Sequence, residues 1–197
     1  MAVPASYIRH TMPVGTGLIS DRWFTWILDN HWDFSGAERT SVGQLVYETK
    51  YKNNPSATRE LVVIAQHSIL QISRFSGSDG PSGAECVVAI PSTSRPHDDS
   101  TLPRILARAV SEALKIPDAS HMVSITPGLA AAKSGAVRTP GDFSTTANLT
   151  FENVLLVDDL LSTGQTMLAL GECIRANKSS IRLSGLALTK VQKGIGN

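Results

Sequence analysis

Cysteine is scarce in this 197-residue chain, with Cys86 and Cys173 alone. Two thiols embedded in apolar patterns make neither a disulfide framework nor a metal-spaced pair, so they read as buried free thiols in a reducing compartment. Excess charge is missing too: the net charge of +1 gives no basic footprint and does not indicate nucleic-acid binding. No apolar stretch is long enough for a membrane span, and none follows Arg9 and His10 as a signal peptide requires. A cytoplasmic location is the default expectation. What is present, 42% hydrophobic and 18% charged residues, fits a globular protein with a sizeable core, one domain with at most a small appendage.

The most informative stretch runs from Val154 to Met167, VLLVDDLLSTGQTM. Val154, Leu155, Leu156 and Val157 suit a strand buried on both faces. The apolar run stops at Asp158 and Asp159. Leu160 and Leu161 follow, then the small, hydroxyl-rich turn Ser162, Thr163, Gly164, Gln165, Thr166. A helical pattern then starts, with Met167, Leu168, Leu170, Ile174 and Ala176 as expected buried positions. An ionised carboxylate only accepts hydrogen bonds, so an acidic pair at a strand end suits the vicinal hydroxyls of a ribose. A small-residue loop entering a helix offers backbone N–H groups and a favourable dipole to an anion. Together they describe a cradle for ribose 5-phosphate.

Elsewhere the chain alternates. Residues 1 to about 20 read as irregular. Asp21 to Trp32 holds all three tryptophans, Trp23, Trp26 and Trp32, at a spacing that predicts a short amphipathic helix. Such a stripe is more often core or interface than a stacking platform for a base. Helices are predicted over Thr40 to Tyr51 and Ala57 to Ile72, separated by the stop Asn53-Asn54-Pro55. Lys50, in a last turn, is expected to complement the helix dipole. The loop from Phe75 to Gly83 separates an N-terminal helical part, residues 1–80, from an α/β body, residues 81–197.

Cys86 to Ile90 is a continuous apolar strand, and Pro91, Ser92, Thr93, Ser94 and Arg95 follow at once. Loops at the carboxyl ends of parallel strands hold ligands. Hydroxyls, backbone N–H groups and one fork-shaped cation suit a pyrophosphate there. A helix over Thr101 to Lys115, a strand over His121 to Ile125 and a strand over Arg182 to Leu188 complete the pattern. Thr126 to Thr150 is long, polar and glycine-bearing, as an active-site lid would be. Its cations Lys133 and Arg138 either reach the ligand or stand on a surface loop that takes no part. The alternation predicts an α/β fold with a parallel sheet flanked by helices.

The run VLLVDDLLSTGQT resembles the phosphoribosyl-pyrophosphate (PRPP) motif of type I phosphoribosyltransferases, with Ser162 where threonine is more usual. The resemblance implies a type I phosphoribosyltransferase-like parallel sheet flanked by helices, with residues 1–80 as an N-terminal helical cap. It implies that Asp158 and Asp159 hold the ribose hydroxyls, that Leu160 to Thr166 hold the 5-phosphate, and that Pro91 to Arg95 hold pyrophosphate. Mg²⁺ is implied as cofactor, bound by Asp158 and Asp159 indirectly or through PRPP. Asp158, Asp159, Arg138 and Lys133 are the implied catalytic residues, the two cations stabilising the leaving group. The activity implied is transfer of ribose 5-phosphate to a small, nucleobase-like acceptor with release of pyrophosphate, a pentosyl transfer. The plan is most similar to the ComF-type proteins, in Lys50-Tyr51, Val87 to Pro91, Arg138 and Phe143. It lacks cysteines for their zinc module and carries Arg95-Pro96-His97-Asp98-Asp99 where they carry Arg-Gly-Phe-Asn-Gln. The alternative expectation is therefore a non-catalytic PRPP- or nucleotide-binding module serving regulation or DNA handling. A homodimer is compatible with either reading; a membrane partner is not expected.

Overall fold

The computed structural model of the protein describes residues 9–13, 24–33, 37–75, 81–92, 94–95, 98–126, 138–146 and 150–191. Its strands are β1 (Arg9–Pro13), β2 (Phe24–Asn30), β3 (Cys86–Ala89), β4 (Val123–Ile125), β5 (Phe143–Thr145), β6 (Asn153–Leu161) and β7 (Arg182–Lys190). Its helices are α1 (Ser41–Lys52), α2 (Pro55–Phe75), α3 (Leu102–Leu114) and α4 (Gln165–Asn177). Five strands form the main sheet in the order β1-β2-β7-β6-β3. The pairs β2–β7, β7–β6 and β6–β3 are parallel, and β1 adds antiparallel at the edge. The fold is α/β, a largely parallel sheet with helices on both faces, as expected.

Alternation along the strands divides the core in two. On one face, Val87 and Ala89 of β3 and Leu155 and Val157 of β6 pack with Val46 of α1, Leu61 and Ile69 of α2 and Leu106 of α3. On the other, Cys86, Val88, Val154 and Leu156 pack with Met167, Leu170 and Ile174 of α4 and with Ile125 and Phe143. Side chains buried on both faces explain why these strands read as unbroken apolar runs. Both cysteines are free and buried, and burial pushes the Cys86 thiol up to about 12, well away from thiolate chemistry.

Two expectations are corrected here. The Asp21–Trp32 segment is not a helix over its described part: Phe24–Asn30 is a strand, inserted between β1 and β7. Trp26 and Leu28 enter the helix-covered core, while Ile27 enters the other. The spacing that mimics a helix is that of a β-rich run buried on both faces, and pairing with Gly185 to Lys190 decides the outcome. Gly185 is required there, since a Cβ would lie 2.6 Å from both the Met167 sulfur and the Thr25 hydroxyl oxygen. Within residues 1–20, expected to be irregular, Arg9–Pro13 is a strand; Gly15 to Gly17 lie outside the described residues.

The strand expected over His121 to Ile125 is Val123–Ile125, and it does not join the main sheet. It pairs antiparallel with β5, inside the segment expected to be a structureless loop. The cause lies at β3. Its outer edge is already occupied: Val87 donates to the Pro117 carbonyl at 2.9 Å, Ala119 donates back to Val87 at 2.8 Å, and Ala89 donates to the Ser120 hydroxyl at 2.7 Å. With both backbone groups of Val87 and the Ala89 amide already bonded on that edge, the chain turns away through a 3₁₀ turn at Ser120–Met122 and seals the α4 side.

Helices α1 and α2 meet at the expected stop, Asn53-Asn54-Pro55. Asn53 closes α1 in the left-handed conformation (φ 50°), and the Asn54 side chain accepts from the Ser56 and Ala57 amides at the start of α2. The start of α1 is fixed against the end of β2. Thr40 caps α1 through Gly43 N (3.0 Å) and donates to the Asn30 carbonyl. Gly43 lies so near the His31 carbonyl that a Cβ would come within 2.2 Å of it. Because β2 belongs to the main sheet, this anchoring aims the far end of α1 at the sheet's carboxyl end.

Candidate functional site

The site exists because two paired strands differ in length. β3 ends at Ala89, opposite Val157, and the last link is Ile90 N to Val157 O at 2.9 Å. β6 runs on to Leu161 beside β7 alone. Asp158 and Asp159 therefore lie within the strand and not at its end, and it is the departure of β3 that opens a crevice next to them. This is the carboxyl edge of a parallel sheet, where α/β folds place ligands.

A cleft of 770 Å³ fills the crevice. Asp158, Asp159 and Thr166 line it from the sheet side. Pro91, Ser92, Ser94 and Arg95, from the loop after β3, form a second wall. The third comes from the α1–α2 corner: Lys50, Tyr51, Asn53, Thr58 and Arg59. The structure thus brings the acidic pair and the β3 loop, 63 or more positions apart in the chain, to one cavity.

Adjacent strand residues project to opposite faces, and the two carboxylates follow that rule. Asp159 continues the row of Leu155 and Val157 toward α1, where the Lys50 ammonium meets it: Nζ lies 2.9 Å from Oδ2 and 3.2 Å from Oδ1. The Asp159 side chain is 6% exposed and that of Lys50 33%. Burial alone would lower the Lys50 pKa, but the charge and hydrogen bond of Asp159 outweigh it and hold the ammonium above its ordinary value. Behind the bridge, the Thr189 hydroxyl lies 3.4 Å from the Asp159 carbonyl and from His31 Nδ1. Burial, then the charges of Arg39 and Lys50, lower the His31 pKa against the pull of Asp159 and so favour the neutral imidazole.

Asp158 is half-buried on the α4 side. Its carboxylate accepts the Asp159 amide at 2.8 Å. Burial first, and the neighbouring Asp159 charge second, push it up to about 8, against the Asp159 amide and Lys50, which favour the charged form. The site thus favours the protonated form of Asp158 more than water would.

The loop Ser162 to Gly164 leads into α4, and Gly164 takes a left-handed φ of 77° as its N-cap. Ser162 and Thr163 are exposed, Gln165 and Thr166 half-buried, and Thr166 is the member of this turn that lines the cleft. Leu160 is half-buried, while Leu161 is buried in the core. In the β3 loop the Ser92 hydroxyl accepts the Arg95 amide at 3.3 Å and faces the Ser94 hydroxyl at 3.3 Å. The Arg95 guanidinium pairs with Asp98 at 3.1 Å. Hydrogen bonds from Ser100, aided by Arg95, hold Asp98 below the usual carboxylate range. Thr93 lies outside the described residues, as does Lys133.

Arg138 is placed elsewhere. It is 6% exposed, 3.9 Å from Asp142 beside the turn that leads into β5, and it does not line the cleft. Lys50 is the cleft residue that sequence reasoning assigned to the helix dipole; its partner is 109 positions away, so no local pattern could reveal it. Among the described residues, no group of three or more His, Cys, Asp or Glu could hold a metal ion by themselves, and no helix is long and apolar enough to cross a membrane.

No protein-family model matches the chain, and no curated protein matches it. Among solved structures it is similar to the adenine phosphoribosyltransferase of Leishmania donovani, at 12% identity over 90% of this chain and 88% of that one, with a TM-score of 0.35.

Proposed function

We propose that the protein binds PRPP in this cleft and transfers its ribose 5-phosphate to a nucleobase-like acceptor, releasing pyrophosphate. The observation that carries the reading is the convergence of the acidic pair of β6, the entry of α4 and the hydroxyl-and-arginine loop after β3 on one 770 Å³ cavity. Each supplies what one part of PRPP requires. Asp159 and Asp158 accept hydrogen bonds from the ribose hydroxyls. The turn from Ser162 to Thr166 offers hydroxyls and amides to the 5-phosphate. Ser92, Ser94 and Arg95 face the pyrophosphate.

Cleavage at the anomeric carbon develops positive charge on the sugar and negative charge on the leaving group. Arg95 stabilises the latter, and the fixed carboxylates keep the ring in place, so the protein acts mainly by positioning and electrostatics. The donor set fits Mg²⁺ bound indirectly: Asp158 and Asp159 would hold it through water and the ligand's own oxygens, an arrangement this ion favours. When bound, the ion would neutralise charge on the pyrophosphate. Tyr51, 70% exposed on the α1 wall, offers a flat face to the acceptor. In this reading the residues before 81 supply the acceptor wall, and those after it the PRPP wall.

One observation favours a second reading, a module that binds PRPP or a nucleotide without turnover: Arg138, one of the cations meant for the leaving group, is held away from the cleft. Pyrophosphate release from PRPP and Mg²⁺ with a panel of bases decides between them. Release with one base, abolished in the Asp158→Asn, Asp159→Asn double variant, supports the transferase. Calorimetric PRPP binding with no release on any base supports the module. A folded double variant that keeps wild-type PRPP affinity overturns both.

A further inference from the structure

Lys50 faces the carboxylates and is unused by the roles assigned above. A lysine in the last turn of a helix ordinarily leans toward the free carbonyls there. This one instead spans the cleft and lies against both oxygens of Asp159, 2.9 and 3.2 Å away. The carboxylate beneath it is 6% exposed, so the ammonium covers the edge that a sugar hydroxyl would need. A diol reaching Asp159 must displace it. An ammonium moved off a buried carboxylate needs another anion within reach of its stem. The adjoining wall, with Ser92, Ser94 and Arg95, is where the phosphoribosyl reading puts one, at the pyrophosphate.

We infer that Lys50 is a specificity-determining residue: its bridge to Asp159 is exchanged for ligand contacts when the ligand carries a vicinal diol and a pyrophosphate together. The inference rests on the reading of the cleft as a PRPP site. PRPP offers both partners, so hydroxyls replace the ammonium on Asp159 and the pyrophosphate receives it. Ribose 5-phosphate offers the diol, but its phosphate goes to the α4 loop, and the displaced ammonium is left without an anion. The cleft is thereby biased against the monophosphate that most resembles its ligand. Such discrimination uses a repulsive element as well as an attractive one.

Calorimetry with PRPP and with ribose 5-phosphate, on wild type, Lys50→Met and Lys50→Arg, tests this. The preference for PRPP over ribose 5-phosphate should fall at least about tenfold in Lys50→Met, the scale of one lost charge-assisted contact. Ribose 5-phosphate itself should bind as well as before or better. Lys50→Arg, which keeps the charge, should keep the preference within about threefold. An unchanged ratio in Lys50→Met, or equal weakening of both ligands, would overturn the inference and leave Lys50 a structural bridge. Should Lys50→Met fail to fold, Lys50→Gln is read by the same ratio. A wild type that binds neither ligand removes the PRPP reading itself. A wild type that binds both, with the ratio indifferent to residue 50, removes only the role of Lys50.

Discussion

Two neighbouring carboxylates differ here because the strand turns each to a different environment. Asp159 has an ammonium on both oxygens, whereas Asp158 has a backbone amide and a like charge next door. The consequence for stability has a definite sign. The folded-state pKa of Asp158 is raised, to about 8 from an ordinary 3.8, so the fold favours the protonated acid. That contribution is fully present below the unfolded pKa and is lost as pH rises through the folded one. Asp158→Asn, neutral at every pH, should therefore exceed wild type by about 0.5–2 kcal/mol at pH 8. The gap should widen from pH 5 to pH 8 and level off above. Urea unfolding across that range checks it; a gap independent of pH would show that Asp158 ionises freely in the fold. The acidic pair was legible in the sequence as the point where a buried strand meets polar groups. Its asymmetry was not, because Lys50 arrives from another element.

Element by element, the apolar runs at Cys86–Ala89 and Val154–Val157 and the helices around Leu106 and Ile174 were readable from periodicity and caps. Two things were not. The Trp26 strand and an amphipathic helix share a spacing over so short a window, and only the neighbour β7 separates them. The fate of the chain after α3 was hidden as well, since Ser120, a residue with no strong local preference, fills the hydrogen-bonding edge of β3. Ser120→Ala should strand the buried Ala89 amide and cost about 1–3 kcal/mol. Ala89 is the last residue before the chain enters the β3 loop, so the same change should weaken PRPP binding more than an equally destabilising change at Ile69, which lies buried in the helix-covered core. Paired urea melts and calorimetry on the two variants make the comparison; equal affinities would mean that the loop holds its shape unaided.

Among the described residues the molecule has two cores, one on each side of the five-stranded sheet. Leu28 and Leu156 are fully buried, one in each. Because β2 comes from the N-terminal part yet lies between β1 and β7, the helices around the α1–α2 corner should not melt apart from the sheet. Leu28→Ala and Leu156→Ala should each cost about 2–5 kcal/mol. Their double variant should cost nearly the sum, since the side chains pack on opposite faces. All three should unfold in one transition by both circular dichroism and tryptophan fluorescence. Separate transitions would mean that the first eighty residues form an independent unit. That β2 threads into the sheet could not be read from the chain, where a polar, glycine-bearing loop at 75–83 looks like a boundary.

The segment from Pro117 to Ser120 has one more effect, on encounters between molecules. An open sheet margin is an invitation to a foreign ribbon, and runaway stacking begins at such margins. On the β3 flank that invitation is withdrawn, because the chain's own return path already occupies it. Growth of this sheet by addition of another polypeptide is thereby turned away from β3, toward the flank where, among the described residues, β1 lies.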